Sequence, residues 1–263
     1  MVVQNETRFK LFFNDSVYLL YKNHLYNYLV RRFFIRKALP PPVPTSFILE
    51  LGCGISPMLE GSGHTIRTDV SWQALAYSKE CHEKGDRIPA VACDATKLPF
   101  GKGSIRQVIC SEVLEHIEKD ESVLEEINRI LEPGGELLLT CPMREELFGF
   151  DDLFVGHCRR YDFEKLTCLL STKGFVGFKV HAVLGSLEKW VMEKVTRFFS
   201  WLKKESKQLD AKSSGEKMQV LAWIFFPIYV CLNYLLAFCV YLQASSLAPK
   251  QAVCLLIQCR KRT

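Results

Sequence analysis

Two glycines and an acid in the first third of the chain are the residue types that most clearly indicate chemistry. The apolar run 47–51 is typical of a buried strand, and it ends at Gly52 and Gly54, where the backbone can turn sharply and approach a ligand closely. A second predicted strand, 65–69, ends in Asp69. An acid about 20 residues beyond such a turn is placed to accept hydrogen bonds from ribose hydroxyls. The pattern predicts a site for a nucleoside cofactor without deciding which one.

The residues around and after this turn narrow the choice of cofactor. A dinucleotide-binding turn carries a third glycine where this chain has Pro57, so a nicotinamide oxidoreductase is disfavoured. Three more strands are predicted downstream, over 91–95, 105–110 and 137–141. Base-flipping motifs of the Asn/Asp-Pro-Pro-Tyr type are absent after the fourth strand, and a nucleic-acid methyltransferase is therefore disfavoured as well.

Five motifs, in their order and spacing, resemble those of class I S-adenosylmethionine (SAM) dependent methyltransferases, in particular the methyltransferase type 11 branch that includes ubiquinone and menaquinone biosynthesis enzymes. The motifs are LELGCG at 49–54, Asp69, CDATKLPF at 93–100, ICSEVLEHI at 109–117 and LEPGGELLLT at 131–140. The resemblance covers roughly residues 45–185. It implies SAM as the cofactor and an α/β, Rossmann-like, seven-stranded and mostly parallel sheet. The implied strand order is 3-2-1-4-5-7-6, with strand 7 antiparallel.

The resemblance also implies which residues hold the cofactor. The methionine part of SAM would be surrounded by residues of the first turn, the ribose hydroxyls would be bound by the acid after strand two, and the adenine by residues after strand three. The end of strand four would face the methyl donor. The residues of the first turn are Glu50, Gly52 and Gly54, and the ribose acid is Asp69. Asp94 and Ala95 would bind the adenine, and Ser111 and Glu112 would face the methyl donor.

Two histidines are candidates for acid–base catalysis. His116 follows strand four near the expected cofactor, although a histidine at the start of a helix is more often structural. His157 lies in a Gly-His-Cys-Arg-Arg-Tyr run at 156–161, and a similar run occurs in many bacterial relatives of the family. It could deprotonate a hydroxyl nucleophile at neutral pH, which favours O-methylation. An activated carbon, or a phenol near its own pKa, would need no strong base.

The same run supplies three candidate substrate-binding residues, Arg159, Arg160 and Tyr161. A guanidinium group can hold a phosphate or carboxylate of a substrate. The alternative is that Arg160 and Tyr161 pin the loop to neighbouring acids such as Asp151 and Asp152.

Alternating strands and helices predict one mostly parallel sheet with helices on both faces. A sixth strand is predicted over 175–184 and a seventh over 252–258. We divide the chain into three parts: an aromatic and basic helical segment with a Pro-rich linker, a SAM-binding domain, and an amphipathic and hydrophobic insertion. They span residues 1–44, residues 45–185 together with 252–263, and residues 186–251.

The insertion predicts contact with a membrane. Residues 186–204 form a predicted amphipathic helix, and 218–249 contain no charged residue, so that 220–242 could cross a bilayer by length alone. If strands six and seven share a sheet, however, the insertion must leave and return on the same side. We therefore expect Pro227 and Asn233 to break the run into two shorter pieces of a re-entrant or interfacial hairpin. The alternative is a lid or a dimer interface that never meets lipid.

Composition bears on the environment of the protein. The net charge of +5 fits an anionic membrane surface better than it fits nucleic acid. The 11 cysteines include no Cys-x-x-Cys pair, which favours reduced thiols in the cytoplasm and argues against disulfides or a metal site. Residues 1–10 are too polar for a signal peptide. We expect a cytoplasmic protein, peripheral or monotopic on a membrane, with no bound metal.

These observations together favour a SAM-dependent methyltransferase that acts near a membrane on a small amphipathic or lipid-like acceptor. One alternative is a soluble natural-product methyltransferase in which the insertion serves as a lid. Another is a membrane-bound SAM-binding scaffold that lacks catalysis. No nucleic-acid partner is expected, and nothing in the sequence predicts an oligomeric state.

Overall fold

A computed structural model of the chain describes residues 21–39, 46–59, 64–82, 88–206 and 211–263. The part of the aromatic and basic segment before Tyr21, and the proline spacer 40–44, lie outside these residues. All seven strands of the sheet lie within the described residues.

Seven strands form a single sheet with the predicted order β3-β2-β1-β4-β5-β7-β6. The first five strands are parallel to one another, and β7 runs antiparallel to both β5 and β6. The largest difference from the predicted bounds is in β5, which begins at Leu131, before the Pro-Gly-Gly run at 133–135, and not at the predicted 137. The strands are β1 Ile48–Leu51, β2 Thr65–Asp69, β3 Ala90–Ala92, β4 Ile105–Ser111, β5 Leu131–Pro142, β6 Phe175–Leu184 and β7 Cys254–Lys261.

Helices follow most of the strands, as the alternating pattern predicts. Helix α5 begins where the Asp162 carboxylate accepts the backbone N–H groups of Glu164 and Lys165, which satisfies two of the donors left open at a helix start. The described α-helices are α1 Tyr26–Ala38, α2 Trp72–His82, α3 Asp120–Ile130, α4 Phe150–Val155, α5 Phe163–Thr172, α6 Ser186–Ser206 and α7 Ala211–Ser246.

Both faces of the sheet are buried. Successive side chains of a strand point to opposite sides, so one strand contributes to the core on each face. In β5, Leu137 and Leu139 belong to a core cluster that includes Val123 and Ile127 of α3. Leu138, between them, belongs to a second cluster formed with α1 and α7. The N-terminal helix and the insertion therefore pack on the same face of the sheet.

The insertion differs from prediction in one respect: its apolar run is not broken. Helix α7 continues through both Pro227 and Asn233. A proline removes only one backbone donor from the helix, and the side chain of Asn233 is used within the fold. Its Oδ1 accepts the backbone N–H of Tyr26 at 3.0 Å, and its Nδ2 donates to the carbonyl of Tyr229 at 3.0 Å. Asn233 thus fixes the start of α1 against α7.

The two helices of the insertion leave and return at the same end of the sheet. Leu184, the last residue of β6, is paired with Cys254, the first residue of β7. Within α7, the 22 residues Phe225–Ser246 are long and apolar enough to cross a membrane, yet only 11% of its most apolar window is buried inside the protein. Most of this apolar segment therefore faces outward.

Candidate active site

The turn after β1 leaves open space at the carboxyl edge of the sheet. Gly52 and Gly54 both have positive φ angles, 66° and 55°, which side chains with a Cβ rarely adopt. A Cβ at Gly52 would lie 2.5 Å from Cγ2 of Val113, so this glycine allows close packing. A Cβ at Gly54 would meet nothing within 4 Å. The space in front of Gly54 fits the approach of a cofactor to the backbone.

Asp69, the predicted ribose acid, holds this glycine turn in place. Its Oδ2 accepts the N–H of Gly54 at 2.8 Å, and its Oδ1 accepts the N–H of Ser71 at 2.8 Å. A carboxylate offers about four acceptor positions, so Asp69 can also accept from a ribose hydroxyl. Asp69 is thus close to the open space at Gly54, as ribose binding requires.

Glu50 is oriented by the loop that follows the turn. It is only 2% exposed, and its carboxylate accepts the N–H groups of Met58 at 2.5 Å and Leu59 at 3.3 Å. Burial raises the pKa of Glu50 to about 7, against the opposing effect of these two hydrogen bonds. The structure gives Glu50 a loop-forming role, and its contact with the methionine part of SAM stays a prediction.

Asp94 and Ala95 follow β3 beside this turn. The backbone N–H of Cys93 donates to the carbonyl of Asp69 at 3.0 Å, which brings the two loops together. Asp94 is exposed, and its Oδ1 accepts both the N–H and the hydroxyl of Thr96 at 2.8 Å. The placement of Asp94 suits a contact with an adenine amino group, which stays a prediction.

Ser111 and Glu112 stand at the carboxyl end of β4 in a chain of hydrogen bonds. Ser111 Oγ lies 2.8 Å from Thr140 Oγ1, which donates to Glu112 Oε1 at 3.2 Å. Glu112 has a positive φ of 56°, a conformation that is strained for a residue with a side chain. Its Oε2 lies 2.9 Å from Nη1 of Arg31 in α1. The Arg31 guanidinium lowers the pKa of Glu112 against the effect of burial, and Glu112 is therefore ionised at neutral pH.

His157 is held by a buried carboxylate. Its Nδ1 lies 2.8 Å from Oδ1 of Asp152, while Asp152 Oδ2 accepts from Nε of Arg160 at 2.8 Å. Hydrogen bonds and ion pairs with these partners hold the pKa of Asp152 well below its usual range. An ionised Asp152 favours the tautomer in which Nδ1 of His157 carries the proton and Nε2 carries the lone pair. That lone pair suits either of two roles, proton acceptor or metal ligand.

Two of the three substrate-binding candidates require correction. Arg160 and Tyr161 are 8% and 7% exposed. Arg160 pairs with Asp151 and Asp152, and the hydroxyl of Tyr161 donates to Asp120 Oδ2 at 2.9 Å. Their polar groups are used inside the fold, so the alternative, in which they pin the loop, is the one the contacts support.

Arg159 remains a candidate for contact with a substrate. Its side chain is 33% exposed, and it pairs with Asp120 at 2.8 Å.

His116 lies next to His157, with ring centroids 4.8 Å apart. Burial is the main cause that lowers the pKa of His116 to about 4. His116 is therefore neutral at physiological pH. His116 lies close to the predicted acceptor region, and its catalytic role stays a prediction.

Sequence reasoning missed Arg31 and Thr140 as members of this site. Arg31 reaches Glu112 from 81 positions away, since 112 − 31 = 81. Thr140 lies one residue before the end of the predicted strand 137–141, and the carboxyl ends of parallel strands share one edge of the sheet, a signal that could have been used. Nothing in the local sequence marks the pairing of Arg31 with Glu112.

Residues 49–139 match the family described as "Methyltransferase domain". The chain is 33% identical over 116 residues to malonyl-[acyl-carrier protein] O-methyltransferase of Alcanivorax borkumensis, covering 41% of this chain and 39% of that protein. It is also 33% identical over 102 residues to demethylmenaquinone methyltransferase of Clavibacter sepedonicus, covering 37% of this chain and 42% of that protein. The chain thus spans about two fifths of the length of these curated relatives.

Among solved structures, the chain is similar in fold to phosphoethanolamine N-methyltransferase 2 of Haemonchus contortus, determined in complex with SAM. The TM-score is 0.56 at 19% identity, covering 89% of this chain and 52% of that chain. At this identity the likeness supports the fold alone. It agrees with the strand order and the antiparallel β7 described above.

Proposed function

We propose that this chain, whose residues 49–139 match a methyltransferase domain, is a class I, SAM-dependent methyltransferase that transfers a methyl group to a small amphipathic or lipid-like acceptor at a membrane surface. The observation that carries the proposal is the open space at Gly54, bordered by the Asp69 carboxylate. SAM supplies a methyl group that is already activated for transfer. The protein then has mainly to align the reactants and exclude water.

We propose a role for each part of the carboxyl edge of the sheet. Gly54 leaves room for the cofactor, and Asp69 binds its ribose hydroxyls. Asp94 and Ala95 contact the adenine. Glu112, ionised and held by Arg31, lies at the end of β4, where the methyl group and its acceptor would meet.

The relatives support a small-molecule acceptor. One relative is named for a malonyl group on acyl-carrier protein. The other is named for a quinone, demethylmenaquinone. We propose O-methylation of an amphipathic hydroxyl compound as the reaction class: the acceptor oxygen bonds to the methyl carbon, the S–CH3 bond breaks to leave S-adenosylhomocysteine, and the hydroxyl proton is lost to solvent.

The outward apolar face of α7 supports the membrane part of the proposal. Seven of its described large apolar side chains are more than half exposed, and six of them recur at intervals of three or four residues, which places them along one stripe of the helix. They are Phe225, Ile228, Leu232, Tyr234, Leu235, Phe238 and Leu242. Such a contiguous apolar surface is typical of a protein that binds lipid or a partner.

The cofactor site is tested by titration calorimetry of the full chain with SAM, S-adenosylhomocysteine and NAD. We expect both sulfur nucleosides to bind and NAD not to bind. Asp69→Asn should weaken SAM binding about 10-fold to 100-fold, because a hydrogen bond to a charged group contributes about 1.5–3 kcal/mol. Glu132→Gln, at the amino end of β5 and thus at the opposite edge of the parallel strands, is the matched control.

The outcomes of this titration separate the alternatives. Binding of NAD without SAM would overturn the cofactor assignment. SAM binding with no methyl transfer to any of a series of amphipathic hydroxyl acceptors would identify a non-catalytic SAM-binding scaffold instead. Unchanged affinity in Asp69→Asn would remove Asp69 as the ribose acid.

A further inference from the structure

Two segments that are far apart in the sequence are fixed side by side beyond the end of β4. The first is a 3₁₀ turn, Leu114–His116, and the second is the loop that follows α4. The backbone N–H of Cys158 donates to the carbonyl of Glu115 at 2.7 Å, and its Sγ lies 3.6 Å from the carbonyl oxygen of His116. Glu115, His116 and His157 are thereby held together.

The three side chains converge on one point. One ligand atom from each of Glu115, His116 and His157 lies within 4.8 Å of the other two. His157 Nε2 is 3.8 Å from Glu115 Oε1. Zn²⁺ bonds to nitrogen and oxygen ligands at about 2.0–2.2 Å, which puts tetrahedral ligands about 3.4 Å apart. Side-chain shifts of about an ångström would close this set around an ion.

Glu115 supplies an observation that points to a ligand. The residue is 0% exposed, and neither carboxylate oxygen has a hydrogen-bond partner among the described residues. A buried polar group without a partner is costly, and a buried charge is usually paired or bound to a metal. A cation between Glu115 and the two imidazoles would satisfy this carboxylate.

Both histidines are oriented as metal-ligating histidines are. Nδ1 of His157 lies 2.8 Å from the Asp152 carboxylate, and Nδ1 of His116 lies 3.2 Å from the carbonyl of Gly156. Metal-ligating histidines almost always donate their second ring N–H to a carboxylate or a backbone carbonyl. Such a bond fixes the ring and makes the other nitrogen a better ligand.

We propose that Glu115, His116 and His157 bind one divalent transition-metal ion of the Zn²⁺ type. Two imidazoles and one carboxylate form a donor set that Zn²⁺ uses, and three protein ligands leave a further position for water or an acceptor atom. In this state Nε2 of His157 is a ligand and does not serve as a proton acceptor.

This assignment differs from the expectation of a metal-free protein. That expectation followed from the scattered cysteines, whereas the proposed site uses none of them. Its ligands come from segments separated by 41 positions, since 157 − 116 = 41, and no sequence spacing marks such a site. The proposal concerns metal binding alone and does not depend on the proposed methyl transfer.

The first test uses the full chain stripped of metal with a chelator and titrated with Zn²⁺. We expect one equivalent to bind. X-ray absorption at the zinc edge should give nitrogen and oxygen neighbours at about 2.0–2.1 Å, with the scattering pattern of two imidazoles. Sulfur neighbours at about 2.3 Å would place the ion on cysteines and overturn the proposal.

Variants then assign the site. Glu115→Gln and His157→Gln should each lower Zn²⁺ affinity by about 100-fold or more, since loss even of an outer partner costs about 10-fold to 100-fold. The matched control is His181→Gln, which removes an exposed histidine of β6. Zn²⁺ should raise the melting temperature of wild type and control but not of the two ligand variants.

Two further results would contradict the site. Binding of less than one equivalent to wild type would leave Glu115 as a protonated buried acid. Equal affinity in wild type and Glu115→Gln would place the ion elsewhere. If a variant does not fold, the absorption spectrum of the wild-type protein still decides, because it reads the ligands directly.

Discussion

At the residue scale, two of the predicted cofactor residues also support the glycine turn after β1. Asp69 and Glu50 each accept two backbone N–H groups from the loops around the glycine turn. Glu50 does so while almost fully buried, which makes its ionisation costly. Its effect on stability should therefore depend on pH.

Replacing Glu50 tests this dependence. The pKa of Glu50 is raised to about 7, above its ordinary value of 4.5. Between these values the folded protein keeps a proton that the unfolded chain releases, so the free energy of unfolding should fall as pH rises. The slope due to one such group is about 1.4 kcal/mol per pH unit. Urea unfolding between pH 5 and 7.5 should give a flatter profile for Glu50→Gln than for wild type.

The wild-type profile alone would not identify Glu50, because other buried carboxyls, such as Glu188, also have raised pKa values. The difference between the two profiles isolates it. Parallel profiles for wild type and Glu50→Gln would contradict the assignment.

At the element scale, helix α1 is tied by buried polar contacts to parts of the chain that the sequence treats as separate. Arg31 pairs with Glu112 at the end of β4. The hydroxyl of Tyr26 and Nδ2 of Asn27 both donate to the carboxylate of Glu188 in α6. Through α1, the insertion is linked to the residues beside the predicted methyl-transfer site.

Loss of Arg31 should therefore weaken both the fold and the site. Arg31 is 5% exposed, and removing one partner of a buried ion pair costs about 3–5 kcal/mol. Because Glu112 is partly exposed, we expect Arg31→Met to lower the free energy of unfolding by about 3 kcal/mol, measured by urea unfolding. Lys37→Met, on an exposed position of the same helix, should change it by less than about 0.5 kcal/mol.

A double-mutant cycle checks that the loss comes from the pair. Glu112→Gln should cost less in the Arg31→Met background than in wild type, because the charge it removes is then already unpaired. Additive effects of the two substitutions would show that Arg31 acts through other contacts.

At the scale of the whole molecule, α7 has two different faces. Val240 and Ala244 are buried against the sheet and α1, whereas the stripe from Phe225 to Leu242 faces outward. The same helix thus completes the core and presents an apolar surface. We expect that surface to bring the domain to lipid.

Vesicle flotation tests the membrane part of the proposal. The full chain should float with vesicles of phosphatidylcholine and phosphatidylglycerol. The triple variant Ile228→Ser, Leu235→Ser and Phe238→Ser should bind at least about tenfold more weakly, because each buried apolar side chain contributes about 1.5–3 kcal/mol. Leu153→Ser with Val70→Ser, which alters apolar residues of similar exposure elsewhere, is the control.

Equal flotation of wild type and triple variant would contradict lipid binding by this stripe. Absence of flotation together with self-association that the triple variant abolishes would identify the stripe as an interface between copies of the chain.

The sequence alone determined most of the sheet and which of its edges carries the predicted cofactor residues. Period-two and continuous apolar runs fix where strands lie, and the glycines and acids at their ends require a particular backbone. The bounds of β2 and β6 were predicted to the residue, Thr65–Asp69 and Phe175–Leu184. The strand order, which the family resemblance implied, is confirmed.

Only the tertiary structure decided which side chains meet. Arg160 and Tyr161 carry groups that could bind a substrate, but their burial commits them to Asp152 and Asp120. Asn233 could end a helix, yet α7 continues through it, and its side chain accepts the N–H of Tyr26 at the start of the neighbouring α1. Local patterns set the elements because they depend on near neighbours. The pairings of Tyr161 with Asp120 and of Asn233 with Tyr26 join residues 41 and 207 positions apart, so they depend on packing, and the sequence carries no local signal of them.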